Sequence, residues 1–161
     1  MKTNHHTTLL TIVFAVFMAF YAVPAISQDK PADTMQILRE KLRADKKLLV
    51  ADVMKFTESE AKAFWPVYDT YQKELGKLGD RFLKLVNEYA QKHGTMSDEE
   101  AKKILDDYLT FEEDYLKLMK SYLPRFNKAL PGKKVAQYYQ LENKIKMLIY
   151  YELAENIPLI P

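Results

Sequence analysis

Few side chains in this chain of 161 residues are of the kinds that build a classical nucleophile–base pair, and its many carboxylates discriminate nothing by their presence. Cysteine is absent, and beyond His5 and His6 the one histidine is His93. A nucleophile paired with a base has almost nothing to be built from. The chain carries no G-x-S-x-G elbow, no H-E-x-x-H zinc motif and no Gly-rich phosphate loop. Carboxylates cluster at Asp98-Glu99-Glu100 and Glu112-Glu113-Asp114, but no Glu-x-x-His pair accompanies them. A carboxylate di-iron site of the helical-bundle type therefore lacks its ligands. The clusters read as helix-cap chemistry and solvated faces. No catalytic residue, cofactor-binding residue or metal ligand is assigned, and the chain is read as a non-enzyme. What it has to act with are apolar and aromatic side chains, which recognise other surfaces by burial.

Those side chains recur with a helical period. Phe64, Tyr68, Tyr71, Leu75, Leu78, Phe82, Leu85 and Tyr89 fall in steps of four and three, a heptad seam. Thr57 with Glu60 forms a capping box that starts this helix at Glu58, with Phe56 placed as a staple just outside it. The helix is expected to run to His93, on the order of 50 Å at 1.5 Å per residue. Gly94 is suited to the left-handed position after it. Ser97 with Glu100 makes a second capping box, and the next seam is Ala101, Ile104, Tyr108, Phe111, Tyr115, Leu118 and Tyr122. The link Gly94-Thr95-Met96 is so short that the two helices must lie antiparallel. A further helix is expected before them, from about Met35 to Met54, with a charged centre at Arg43–Lys47. Another follows Leu130-Pro131-Gly132, from about Lys133 to Ala154. Pro66 and Pro124 fall inside the long helices, but the apolar register continues across both, so they read as kinks. Gly76 and Gly79, also mid-helix, read as close-packing positions, a soft point or tolerated substitutions. The fold class is all-α: a long antiparallel helical hairpin with two flanking helices.

The first residues have another character. Lys2, His5 and His6 precede an apolar run from Leu9 to Val23, and Ala25 and Ser27 are the small residues that a signal peptidase reads. Residues 1–27 are expected to be a signal peptide cleaved after Ser27, with an uncleaved membrane anchor as the alternative. The run is shorter than the roughly 20 residues a spanning helix needs. Residues 28–34 read as a flexible lead-in, 35–154 as a single helical domain and 155–161 as an extended tail. The chain has 24 basic and 22 acidic residues, and Lys2 is the only charged residue among the first 27, so the remainder sits at about +1. Such a balance argues against a nucleic-acid partner, which requires a concentrated basic face. An exported chain without cysteine holds together by burial alone.

The third helix carries more apolar residues than one seam needs. Leu105, Leu109, Leu116, Met119, Leu123 and Phe126 form a second stripe beside the first. Either the flanking helices cover it, or it is a surface for another protein. Arg125 and Lys128 lie next to it and would attract acidic segments.

A leader, an all-helical chain of this length and capped motifs opening two helices together resemble the Spy/CpxP family of periplasmic stress proteins. That family carries two L-T-x-x-Q motifs, each at a helix start. Phe56-Thr57-Glu58-Ser59-Glu60 keeps the threonine and replaces the leucine and the glutamine with similar residues. Leu130-Pro131-Gly132-Lys133-Lys134 keeps only the leucine. The resemblance implies a periplasmic, bent helical hairpin that forms a homodimeric cradle. It also implies ATP-independent binding of unfolded or partly folded proteins or, alternatively, a regulatory accessory role on a membrane stress or metal-response sensor.

Overall fold

Two capping boxes set where the long helices begin. In the computed structural model, which describes residues 44–160, Thr57 Oγ1 accepts from the Glu60 amide at 3.3 Å. Glu60 returns the bond by accepting from the Thr57 amide at 2.8 Å. Ser97 and Glu100 repeat the exchange at 3.2 and 3.0 Å. Each box satisfies two amides that the first turn leaves without a helical acceptor. The described residues form four helices and no strand: α1 at 44–54, α2 at Glu58–Lys92, α3 at Asp98–Ala129 and α4 at Gly132–Asn156. None is long and apolar enough to cross a membrane. The expected leader at 1–27, the expected lead-in at 28–34 and the expected start of α1 at 35–43 lie outside the described residues.

The chain packs as two compact units. The first joins α1 to the Gln137–Leu153 stretch of α4. Leu49, Val50 and Met54 are buried on α1, as are Tyr138 and Leu141 on α4. Glu142 is buried to 3% exposure and receives Lys46 Nζ at 2.7 Å. A carboxylate this deep must be paired to stay charged, so the charged centre of α1 supplies an anchor. The same burial, with the Glu142 charge second, pushes the Tyr139 hydroxyl up to about 12.

The second unit holds α2, α3, both ends of α4 and the tail. As residue numbers climb along α2 they fall along α3: Phe64 meets Phe126 at 5.6 Å between ring centroids, Tyr71 meets Tyr122 at 5.2 Å, and Phe82 stacks on Phe111 at 4.8 Å. This is the antiparallel hairpin the short link requires. Both helices run unbroken through Pro66 and Pro124. Burial along the pair is uneven. Phe64, Tyr68, Tyr71, Tyr122 and Phe126 are buried, whereas Leu78, Leu85 and Tyr89 are half-exposed and Tyr108 is exposed.

The turn between them differs from expectation. Gly94 does not take the left-handed conformation; no described glycine does. His93 continues the right-handed helix, and the Thr95 amide closes the turn onto Lys92 O at 2.9 Å. Satisfying the last carbonyls this way removes the need for a positive φ. The one positive φ among the described residues is at Lys55 (43°), just past α1, where its amide donates to Ala51 O at 3.1 Å. Beyond Asn156 the chain leaves the helix, and the Tyr89 hydroxyl donates to Pro158 O.

Two measurements test these local accounts. An added Cβ at Gly79 meets nothing within 4 Å, so close packing does not explain that glycine. Gly79→Ala is expected to raise unfolding free energy in urea by about 0.5–1 kcal/mol. At the hairpin tip, Glu100 titrates at about 2, held down first by its hydrogen bond from Lys92 at 2.8 Å and then by the Ser97 amide. Its stabilising share is full above the ordinary value of 4.5 and is lost as pH falls through about 2. Glu100→Gln keeps the cap but loses the charge, so its melting temperature should fall less between pH 4.5 and 2 than that of the unsubstituted chain.

Candidate protein-binding surface

The geometry of α3 follows from two apolar rows one residue apart in register. The inner row, from Ile104 to Tyr122, turns toward α2. The outer row sits about 100° round the helix. Its residues are exposed: Leu105 by 55%, Leu109 by 51%, Leu116 by 49% and Leu123 by 40%, with Met119 half-buried between them.

Phe126 does not belong to this surface. It is fully buried and packs on Phe64, Tyr71 and Tyr122. Helical phase accounts for this: four residues past Tyr122, it stands about 40° from the inner row and about 60° from Leu123. Arg125 and Lys128 are exposed as expected. The Arg125 guanidinium lies 4.7 Å from the Tyr122 ring centroid, so it also roofs the edge of the aromatic core.

Charge along α3 is sorted by position. From Asp98 to Asp114 there are eight carboxylates and two lysines; from Tyr115 to Ala129 there are four cations and no carboxylate. Part of this charge is held within the hairpin. Asp114 accepts from Arg81 at 2.7 Å, which, ahead of Lys117, keeps its carboxyl below the ordinary range. Lys103 pairs with Asp107 at 2.6 Å. Glu112 reaches the Tyr108 hydroxyl, whose titration is raised by burial first and by Glu112 second.

Of the residues singled out at the two helix starts, Phe56, Thr57, Glu60, Leu130 and Lys134, the structure brings Lys134 to Phe56 and Glu60 across a long stretch of sequence. Lys134 Nζ donates to the same Glu60 oxygen that caps α2 and lies 5.7 Å from the Phe56 ring centroid. That bond and the Thr57 amide hold the Glu60 carboxyl below its usual value. Leu130 is buried beside them in the chain, as α4 begins. Phe56 packs at 4.5 Å on Phe64 and 5.6 Å on Trp65. This junction is a clasp between helix starts, with its polar groups directed at one another.

His93 stacks on Tyr89 and its Nδ1 lies 3.2 Å from Ala90 O. Among the described residues no three histidine or carboxylate groups stand close enough to hold a metal ion. A hollow of about 890 Å³ is an open groove in the first unit between Leu49, Val53, Leu141, Met147, Leu148 and Tyr151, with Asp52, Lys55 and Lys144 among its polar lining. Comparison with known proteins finds no matching family model, no matching curated protein and no matching solved structure.

The distinction between outer row and core is measurable. Phe126→Ala should cost about 3–5 kcal/mol in urea unfolding, whereas Leu116→Ser should stay within about 0.5 kcal/mol of the unsubstituted chain.

Proposed function

We propose that this chain is an exported, periplasmic, non-enzymatic protein that binds unfolded or partly folded proteins without ATP, in the manner of the Spy/CpxP family it resembles. One observation carries this reading: a helix already engaged through one apolar face leaves a second row of leucines in solvent. Contiguous exposed apolar residues are costly to keep on a soluble surface unless something binds there. A row flanked by charge binds exposed client segments reversibly, through modest burial and screened electrostatics. The half-buried Met119 adds a side chain that adapts to different partners. In this reading the chain works as a homodimer, and the leader at 1–27 delivers it.

The test is aggregation of a chemically denatured model protein, followed by light scattering with and without the purified chain and without nucleotide. Suppression near stoichiometric ratio is expected. The double substitution Leu116→Ser with Met119→Ser should lose most of it while keeping its helical circular dichroism. Undiminished protection by that folded variant would remove the outer row from the mechanism. No protection by the unsubstituted chain, with cellular crosslinking to one dominant partner, would replace the client-binding role with that of a dedicated accessory to a sensor.

A further inference from the structure

The outer row of α3 has a stricter order than exposure alone requires. Leu105, Leu109, Glu112, Leu116, Met119 and Leu123 are separated by four, three, four, three and four residues. That is a heptad seam over about 27 Å of helix, interrupted by one carboxylate. Extended chain, with its period of two along about 3.3 Å per residue, cannot keep step with such a seam. A second helix can, because its own side chains enter the spaces between the leucines at the same interval.

Charge selects among helices. The first half of α3 is acidic and the second half basic, with Glu112 on the seam itself and Asp106, Glu113 and Lys120 along its solvent flank. Helices in general favour acidic residues in their first turn and basic residues in their last, because these complement the backbone dipole. Laid antiparallel on α3, such a helix sets its basic end against Asp106, Glu112 and Glu113 and its acidic end against Lys120. We infer that the outer row binds amphipathic helical segments of client proteins, docked antiparallel, in preference to extended segments. This partner class presupposes the client-binding surface proposed above. Secondary structure that a client has already formed, or forms on contact, thus decides what the surface holds.

Three peptides of about 21 residues and identical composition test it by fluorescence anisotropy with the full chain. The first carries leucines at heptad spacing, acidic residues in its first half and basic ones in its second. The second has the leucines reordered so that no helical face forms, and the third keeps the leucines but mixes the charges evenly. The first should bind at least tenfold tighter than the second. It should also bind several-fold tighter than the third at low salt, with that gap closing in 0.5 M salt as the charges are screened. Leu109→Ser with Leu116→Ser should abolish binding at unchanged circular dichroism. A nitroxide on the first peptide's N-terminus should broaden amide signals near Lys128 and leave those near Asp98 intact. Equal binding of the first two peptides overturns the inference in favour of extended segments, and broadening near Asp98 instead overturns the antiparallel arrangement. Sedimentation as a dimer that this double substitution makes monomeric, with no peptide bound, gives the seam to a second copy of the chain and overturns it as well. Suppressed aggregation without peptide binding overturns this inference alone; loss of both overturns the client-binding reading with it.

Discussion

Two helices laid side by side can bury only the stripe that each turns toward the other, and the second unit of this protein is organised by that limit. Along α2 the stripe is aromatic at the end far from the turn. There Phe64, Tyr71, Tyr122 and Phe126 interlock at ring separations of 5.2–6.4 Å, within the range where edge-to-face and offset contacts are favourable. Leu130 and Val135 are buried where the chain enters α4, and most of the buried side chains of the second unit lie at this end. Toward the turn the tail touches α2 through Tyr89 and Pro158, and apart from Phe111 the inner faces stay half-open.

Paired charges hold the elements in register beside the apolar cores. Glu60 joins a helix cap, the first turn of α4 and an aromatic ring through one lysine, Lys134. Glu142 plays the corresponding part in the first unit with Lys46. Removing either lysine would leave a carboxylate desolvated without its counter-charge, most severely at Glu142, so these pairs specify which surfaces meet. The tip pair, Lys92 with Glu100, is exposed and does less for stability.

The helices were legible in the sequence because capping and periodicity are local. Thr57-to-Glu60 and Ser97-to-Glu100 announce their amide bonds within four residues, and the three-residue link dictates the antiparallel pairing. The leucines are legible as a stripe, but their exposure is not, since it depends on packing between residues distant in sequence. Phe126 reads as part of the outer row because its phase falls between the two rows, and its burial is decided by Phe64 and Tyr71, more than fifty residues away. The clasp between Glu60 and Lys134 and the pair of Lys46 with Glu142 left no signal either, as a long-range ion pair has no spacing rule. Gly94 illustrates the converse: a residue able to adopt a left-handed turn need not do so when an alternative closes the carbonyls.

Uneven burial along the hairpin also has a kinetic meaning. Local opening draws on the contacts it must break, so segments with few buried side chains open at lower free energy than the core. Helices α2 and α3 thus form a continuous structure with a graded lifetime, most persistent at Phe64 and Phe126 and shortest near the turn. Leu105 and Leu109 sit at the short-lived end, one register step from Ile104 and Tyr108. A transient parting there places inner and outer rows on a single accessible face, so the apolar area offered by α3 is set by time as well as by geometry.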